Sequence, residues 1–506
     1  MGNHSLRVCA RPWTTRAVIV FCFSFLPAAA WAQGLGTQGV QAPSTLTSSG
    51  VATAPSMTSI MQSLSAAQNP LLGSTPQGQP TPGVLPLTAL DAIERGLKYN
   101  LGLLLSQQAT ESARGARFRA LSDVLPNLSA RTSESVQQIN LAALGFPAAA
   151  AQFGISPIAG PFSVFDTRAV ATAPIIDLHS LNLFRARVKD ISAAQLDYQN
   201  TRDLVVLVVG GTYMQALAGS SRIESVQAQL TTASALYKQA QDMKASGVVP
   251  GIDVLRAQVE MQVQKQRLLA AKNDFEKQKL TLARVIGLPP GQQFNLAQDI
   301  PYAPAPPITL EQALERAYQN RSDYASAREL VQSAELERKA AAAQALPSLE
   351  FNADYGVIGR TPGNSHGSFT TMAALKIPIF QGGKVRGDVM KADALLHNRQ
   401  SELDDLRGRI EFEVRTAFLD VTSAADQLQV AQSSQGLARQ ALTQARDRFA
   451  AGVANSIEVI QAQEALAVTD ENYISSLFTF NVAKLALARA LGTAEKSVKD
   501  FLGGKN

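Results

Sequence analysis

The chain has 506 residues, a formal net charge of +5 and two cysteines. Residues 1–32 have the pattern of a signal peptide, with three arginines, an apolar run too short to span a bilayer and the sequence Ala30-Trp31-Ala32. Without this segment the net charge falls to about +2, and no basic stripe supports nucleic-acid binding. Both Cys9 and Cys22 lie in it, so we expect an exported mature protein without disulfides.

The segment 33–86 contains no charged residue and is rich in Gly, Pro, Ser, Thr and Gln. Its apolar residues lack the periodicity that a folded element needs, so we predict a flexible lead-in. A solvated tether is favoured over a specific binding arm.

Two copies of one unit follow. Leu125-Pro126-Asn127-Leu128 returns as Leu346-Pro347-Ser348-Leu349, and Gly247-Val248 returns as Gly452-Val453. Such a duplication predicts two copies about a pseudo-symmetry axis, often within a larger ring. The predicted boundaries are a first repeat at 87–288 with a β-hairpin at about 127–175, a Pro-rich linker at 289–308, a second repeat at 309–495 with a hairpin at about 348–378, and a tail at 496–506.

Each repeat contains one very long predicted helix, at about 182–246 and 384–450. A helix of about 65 residues is roughly 100 Å long, so its apolar stripe must be buried against other long helices. The stripe recurs every seven residues with one unusually small side, which suits helices packed closely in a wall, although an ordinary antiparallel bundle has the same period. In the second repeat it comprises Leu403, Ile410, Ala417, Ala424, Ala431, Ala438 and Ala445, with Val414, Val421, Leu428, Leu442 and Phe449.

The shorter helices on either side of these segments have about 35 residues each, so two of them stacked end to end match one long helix. Each repeat therefore predicts one continuous rod beside one rod made of two pieces. One chain then supplies four rods of equal height.

The second hairpin alternates in polarity. Leu349, Phe351 and Tyr355 have one parity, whereas Glu350 and Asp354 have the other. This pattern fits a transmembrane strand, and it fits equally a soluble hairpin that covers a core. Because four strands cannot close a membrane barrel, a bilayer location requires several chains to share one barrel.

The repeated halves, the Leu-Pro-x-Leu motifs, Pro-Ile-Ile at Pro174, Pro-Ile-Phe at Pro378 and the Gly-Val turns resemble the TolC-type outer-membrane efflux proteins. The resemblance covers about residues 87–495. It implies a mainly α protein with a small β part, in which a homotrimer forms a 12-strand transmembrane β-barrel in the lipid of the outer membrane. Twelve long helices would form a tunnel through the periplasm.

The resemblance also implies partners and site residues. A periplasmic adaptor (membrane fusion protein), coupled to an inner-membrane pump, would dock at the two turns between helices, and the tunnel would narrow near them. Ala454 stands where some family members have an arginine, so the link from that arginine to the acid at position 253 is not expected. The implied adaptor contacts are Gly247, Val248, Val249, Gly452 and Val453, and the gate candidates are Glu458, Asp253, Phe449 and Gln461.

Those acids and glycines also have simpler explanations. Acidic residues stabilise a helix N-terminus, and glycine relieves a left-handed helix C-cap. Three copies of Glu458 around an axis would attract cations. We therefore expect structural and functional roles to coincide at the turns.

No catalytic pattern is present in the sequence. The histidines outside the predicted signal peptide, His179, His366 and His397, are far apart, and no HExxH, CxxC or phosphate-binding Gly-x4-Gly-Lys-Ser/Thr motif occurs. We predict a passive export duct in the outer membrane, without enzymatic activity, cofactor, metal or nucleic-acid partner. The alternatives are a trimeric coiled-coil structural or adhesive surface protein and a soluble periplasmic scaffold.

Overall fold

A computed structural model describes residues 69–143, 156–297, 303–304 and 307–497. The predicted signal peptide, residues 33–68 of the predicted lead-in, residues 144–155 of the uncharged, largely apolar connection 141–165 in the first hairpin, and the end of the predicted tail lie outside these ranges. The described elements are β1 (Leu85–Leu87), α1 (Ala89–Tyr99), α2 (Leu101–Ser122), β2 (Asn127–Asn140), β3 (Ile158–Ile176), α3 (Leu178–Ala245), α4 (Gly251–Ile286), β4 (Phe294–Leu296), α5 (Leu310–Asn320), α6 (Ser322–Ala343), β5 (Ser348–Thr361), β6 (Asn364–Lys376), α7 (Lys384–Ala450) and α8 (Ser456–Ala490).

The long helices α3 and α7 have 68 and 67 residues, which corresponds to about 100 Å each. In α7 every predicted stripe position from Ile410 to Phe449 is buried. In α3 the stripe is buried at positions such as Val205, Val209 and Ala233 and partly buried at Val226 and Leu230. Small residues permit the close packing. A Cβ at Gly219 of α3 would collide with the side chain of Gln278 in α4.

The helix before each hairpin is two helices, where the sequence predicted one. Asn100 separates α1 from α2 with an extended backbone (φ −63°, ψ 132°), and its side chain accepts a hydrogen bond from the amide of Gly102 at 2.9 Å. Arg321 separates α5 from α6 with similar angles (φ −67°, ψ 118°). Asn100 is a favoured N-cap residue, so the first break has a local signal that the prediction of one helix did not use. Arg321 is compatible with a helix interior, and no proline or glycine next to it marks the second break.

The breaks lie where the stacked pieces meet. A Cβ at Gly287, which follows α4, would lie 2.7 Å from Cβ of Tyr99, and one at Gly492, which follows α8, would lie 2.8 Å from Cα of Arg321. We call this level, marked by Asn100, Gly287, Arg321 and Gly492, the waist. The described helices lie side by side as four rods. The first rod is α2 with α4, the second is α3, the third is α6 with α8, and the fourth is α7.

A small parallel pair of strands lies at the waist. β1 pairs with β4, and Leu87 and Phe294 are buried in the apolar cluster around α3. The hydroxyl of Tyr213 donates to the carbonyl of Leu87 at 2.9 Å. Leu71, Leu72, Leu85 and Leu87 thus pack against the helices, which corrects the predicted flexible lead-in at these positions, whereas residues 76–84 between them are exposed. β4 gives structure to the predicted linker. The segments around Leu87 and Phe294 contain few apolar residues, so the burial of these two side chains against α3 supplies much of the apolar contact that holds the two strands in place.

The remaining four strands form one antiparallel sheet in the order β2-β3-β5-β6, so β2 and β6 are its edges. Residues opposite each other in the register share a face. One face is mainly apolar or small and includes Leu128, Ala169, Ala171, Ala173, Leu349, Phe351, Tyr355, Val357, Phe369 and Leu375. The other is mainly polar and includes Ser129, Arg131, Ser133, Asp166, Arg168, Thr172, Glu350, Asn352, Asp354, Ser368, Thr370 and Lys376.

The predicted two-faced pattern of the second hairpin is confirmed by this register, and it extends to the first hairpin. In the first hairpin, Asp166, Arg168, Val170 and Thr172 mix polar and apolar types in the sequence, and all four belong to the polar face. Arg168 pairs there with Asp166 and Asp354, each at 2.8 Å. These ion pairs explain why charged residues occur on this face of the first hairpin.

One described helix, α3, is long and apolar enough to cross a bilayer by composition alone. In its most apolar window, 61% of the residues are buried against the rest of the fold. The apolar window is therefore accounted for by helix packing.

Candidate functional site

The two turns that join α3 to α4 and α7 to α8 have the same geometry. Gly247 and Gly452 are left-handed, with φ of 77° and 72°. In each turn the amide of the following valine donates to a carbonyl five residues earlier, from Val248 to Met243 at 2.9 Å and from Val453 to Arg448 at 3.0 Å. Both are Schellman ends, for which glycine is the preferred residue.

This geometry places the valines at the surface. Val248 is 60% exposed and Val453 is 68% exposed, whereas Val249 is partly buried. Two apolar side chains thus lie at the extreme end of the helices, which we call the tip. A partner that docks at the tip meets these valines first.

Asp253 is placed in the first turn of α4 and is only 7% exposed. Its carboxylate accepts a hydrogen bond from the hydroxyl of Ser456 at 2.8 Å and lies 3.3 Å from Arg256. Ser456 is fully buried at the first position of α8. Asp253 therefore connects the two turns within one chain, in addition to its favourable place at a helix N-terminus.

Glu458 lies in the first turn of α8, after the N-cap Asn455. Its amide donates to the Asn455 side chain at 3.1 Å, and its carboxylate lies 2.9 Å from Nε of Arg448. The pair is substantially exposed. Within one chain the Glu458 charge is thus compensated, which weakens the field expected from three bare carboxylates.

Phe449 and Gln461 have opposite environments. Phe449 is 1% exposed and packs in an apolar cluster with Val459 and Ala257. Gln461 is exposed on α8. Phe449 therefore supports the tip from inside, and of these two only Gln461 can meet a passing solute directly.

An apolar groove of about 430 Å³ adjoins the turns between α4 and α8. Sequence reasoning missed it, and it also missed the Ser456–Asp253 bond and the Arg448–Glu458 pair. The available signal was the i, i+3, i+7 spacing of Ile252, Leu255 and Val259, which continues an apolar stripe on the exposed side of α4. The groove is lined by Ile252, Leu255, Arg256, Val259, Glu260, Ile457 and Ile460.

Further from the turns, polar side chains enter the helix interface. Gln264, which is fully buried, donates to Glu260 at 2.7 Å, and Gln463 donates to the carbonyl of Gln229 at 2.9 Å. The side-chain carbonyl oxygens of Gln264 and Gln463 have no hydrogen-bond partner among the described residues. Such groups lower the stability of a packed interface.

A buried ion cluster lies at the waist. Arg321, which is 3% exposed, bonds to Asp323 and Glu413 at 2.6 Å, and Arg489 bonds to Glu413 at 2.9 Å. Burial opposes ionisation of Asp323, but the bonds and charge of Arg321 outweigh it and hold the pKa of Asp323 below its usual value. Burial lowers the pKa of Arg489.

Among the described residues, no group of three or more His, Cys, Asp or Glu side chains could hold a metal ion. His179 contacts the carbonyl of Ala340 at 2.8 Å, and His397 contacts the carbonyl of Asp393 at 2.8 Å, one helical turn earlier. Both histidines have local structural roles.

Comparisons with known proteins give consistent matches. Residues 313–493 match the family model described as outer membrane efflux protein. The chain is 22% identical over 320 residues to the pyoverdine export outer membrane protein OpmQ of Pseudomonas putida, covering 60% of this chain and 65% of that protein. It is 25% identical over 343 residues to outer membrane protein OprJ of Pseudomonas aeruginosa, covering 62% and 68%.

A similar fold occurs in the crystal structure of the outer membrane protein VceC from Vibrio cholerae. The TM-score is 0.67 at 18% identity, and the match covers 80% of this chain and 96% of that one. At this identity the likeness concerns the fold alone. The matched stretch spans just under two thirds of the pyoverdine export protein.

Proposed function

We propose that this chain, an outer-membrane protein of the TolC-type efflux family, is the exit duct of a tripartite efflux or type I secretion system. Substrate would pass passively from an adaptor-coupled inner-membrane pump to the exterior. Relatives named for pyoverdine export and for alkaline protease secretion support export as the shared activity. They do not support the adhesive alternative.

This proposal rests on one observation. The unpaired edges of the described sheet lie on the same sides of the chain as the outermost helices. In the sheet the edges are β2 and β6. In the helical layer they are α2 with α4 on one side and α7 on the other. Since β2 follows α2 and β6 precedes α7, the strand edges continue the helix edges.

Both helical edges are exposed and apolar. On α7 the exposed apolar side chains recur at spacings of seven and eleven residues. On α2 and α4 the exposed apolar side chains are distributed over most of the length of each helix. Joining one edge to the opposite edge of a second copy is a head-to-tail interface, which generates a ring when the rotation closes. The exposed edge residues are Phe412, Leu419, Val430 and Leu437 on α7, Leu105 and Phe118 on α2, and Leu255, Val259, Leu269 and Leu280 on α4.

Three copies would supply twelve strands and twelve rods. The apolar sheet face would then contact lipid, and the polar face would line the lumen, as in membrane barrels. Closure also pairs the backbone groups of β2 and β6, which hydrocarbon cannot solvate. Joining the edges of three copies would therefore produce the homotrimer and the lipid-facing barrel together.

The tip is the proposed contact for the periplasmic adaptor. Val248 and Val453 are exposed there, held by the left-handed Gly247 and Gly452, with Val249 beside them. The adjoining groove offers further apolar area for a helical partner. We place the passage's narrowing at the same level, with Glu458 and Gln461 in contact with solute and with Asp253 and Phe449 supporting the turns.

Assembly is tested by one substitution on the α7 edge. Val430→Arg places a charge in the proposed interface and should convert the detergent-extracted oligomer into smaller species, measured by size exclusion with light scattering. Gln432→Arg, on the same helix and also exposed, is the matched control and should leave the oligomer intact. Equal behaviour of the two variants would exclude α7 as the interface.

Conduction is tested with the purified wild-type protein in planar bilayers. Discrete ion-conducting steps, together with sensitivity of a deletion strain to exported compounds, are the expected results. A protein that inserts without conducting, or that stays soluble as a monomer, would refute the duct.

Adaptor docking is tested at the tip by Val453→Asp, because this change leaves the left-handed Gly452 in place. Crosslinking to the cognate adaptor in cells should fall several-fold. Val468→Asp, on an exposed position of α8 away from the turn, should crosslink like the wild type. Undiminished crosslinking of Val453→Asp would remove the turn from the contact.

A further inference from the structure

Arg131 has an unusual position on the polar face of the sheet. It lies on the edge strand β2 directly opposite Arg168 of β3. Like charges directly opposite each other on neighbouring strands are destabilising. A fold that keeps such a pair has a compensating interaction for one or both guanidinium groups.

Among the described residues, Arg168 has carboxylate partners and Arg131 has none. The Nε of Arg168 lies 2.8 and 3.0 Å from the two carboxylate oxygens of Asp166, and its Nη1 lies 2.8 Å from Asp354 across β5. Gly356 stands opposite Arg168 on β5, where a Cβ would collide with the arginine. The absence of a side chain there leaves room for Arg168 to reach Asp354.

Arg131 forms no ion pair with the described residues, and its side chain is exposed. The acid on its own strand, Glu134, lies opposite Phe165 and so belongs to the apolar face. The connection from 141 to 157 contains no charged residue. Within one chain the carboxylates near Arg131 contact Arg168, and the group of Arg168, Asp166 and Asp354, with one guanidinium and two carboxylates, carries a net charge of −1. Arg131 brings this group to neutrality without contacting it in an ion pair.

A second copy does not supply the missing carboxylate. In the proposed ring, β2 pairs with β6 of the neighbouring copy, and β6 contains no Asp or Glu at any position. Its charged or titratable residues are Lys376 and His366, both on the polar face. This conclusion holds for every register between β2 and β6, because no register brings an acid.

We infer that Arg131 lines the lumen as a ring of three exposed guanidinium groups that offsets the negative charge of the neighbouring Arg168, Asp166 and Asp354 group and so raises the passage of anions relative to cations at this level of the pore. The inference rests on the proposed trimeric duct. Rings of charged side chains are an established basis of ion selection in channels. Carboxylate- and phosphate-bearing solutes are the class that guanidinium groups attract most specifically.

The test measures reversal potential across planar bilayers in a KCl gradient. Arg131→Gln should lower the chloride-to-potassium permeability ratio by roughly twofold, the effect of a unit charge several ångströms from the ion path in water. Arg131→Lys should retain the wild-type ratio. Glu134→Gln is the matched control, because it changes one charge on the same strand but on the opposite face, and it should leave the ratio unchanged.

A chemical variant gives an independent measurement. Both cysteines lie in the predicted signal peptide, so Arg131→Cys introduces the only thiol of the mature protein. A thiol-reactive ammonium reagent should restore the wild-type permeability ratio, and a thiol-reactive sulfonate should lower the chloride-to-potassium ratio further. If the wild type forms channels and the permeability ratio is unchanged by Arg131→Gln and by both reagents, the inference is refuted and the duct is not. If the wild type forms no channel, the duct is refuted as well.

Discussion

The waist and the tip of the helices are built on the same duplicated plan but hold together differently. At the waist, large apolar side chains such as Tyr213, Ile286 and Ile410 are fully buried, and the buried Arg321 cluster has paired charges. At the tip, the apolar cluster is small and built largely from alanines such as Ala240, Ala257 and Ala445 around Phe449. The tip is therefore the less cohesive end, and movement is easier there than at the waist.

This difference matches the proposed roles. A duct that opens toward a pump needs a rigid frame and one end that can rearrange. The Ser456–Asp253 bond and the Arg448–Glu458 pair join elements at the tip by single polar contacts. Each contact can be removed without disturbing the waist, which makes the comparison testable.

The largest expected effect is at the waist. Arg321→Ala leaves the mostly buried Asp323 and the partly buried Glu413 with only part of their compensation. It should lower the free energy of unfolding by about 2–4 kcal/mol, somewhat less than for a fully buried pair, measured by denaturant titration. The exposed Arg338, which pairs with Asp393, is the control. Arg338→Ala should cost at most about 1 kcal/mol, and equal costs would contradict a rigid waist.

The next effect is a pH dependence from Lys484, whose ammonium group donates to the carbonyl of Ala303 at 2.9 Å. Burial lowers the pKa of Lys484 from 10.5 to about 8. Between these values the unfolded chain binds more protons than the folded one, so the free energy of unfolding should rise with pH from about 8 to 10.5.

Lys484→Met should lose this rise and otherwise unfold in the same way. The measurement is a pair of unfolding titrations at pH 8 and pH 10. A wild type whose stability difference from Lys484→Met is constant across this window would contradict the burial of the charge.

A smaller and local effect is expected at the tip. Ser456→Ala removes the hydrogen bond to the buried Asp253 and should cost about 1.5–3 kcal/mol. Hydrogen exchange should accelerate at both turns while the waist stays protected. Ser246→Ala is the control, since its hydroxyl bonds only to Asp242 in its own helix. Acceleration spread over the whole chain would contradict a separable tip.

The smallest change in stability is predicted for Glu458→Gln. Its pair with Arg448 is exposed, so the loss should be at most about 1 kcal/mol. Removing three carboxylates from the proposed entrance should nevertheless alter cation block in planar bilayers. Glu464→Gln, an exposed change further along α8, is the control, and identical block in both variants and the wild type would exclude Glu458 from the entrance.

The sequence predicted the parts of this fold that repetition and periodicity encode. The bounds of α7, the Gly247 and Gly452 turns and the faces of β5 and β6 follow from spacing of apolar and special residues. The helix breaks at Asn100 and Arg321 were not predicted. The first has a local signal, the N-cap residue Asn100, that was not used, whereas the second depends on another element that abuts Arg321 at the waist. β1 and β4 were missed because each strand has three residues and is defined by its partner.

The candidate site was predicted only in position. The turns were located, but the environment of each side chain came from contacts between distant segments, as for Ser456 with Asp253. Phe449 was a gate candidate by its place in the chain, and the structure buries it. A single sequence contains no signal for which neighbour a tip residue meets.

The central claim concerns two edges of the chain, one formed by α7 and β6 and the other by α2, α4 and β2. Each edge is proposed to pack against the opposite edge of another copy of the same chain. Native mass spectrometry of the protein extracted from outer membranes measures this directly. The account predicts a homotrimer that survives extraction and is lost in Val430→Arg. A monomer, or a dimer with the same edge dependence, would contradict it.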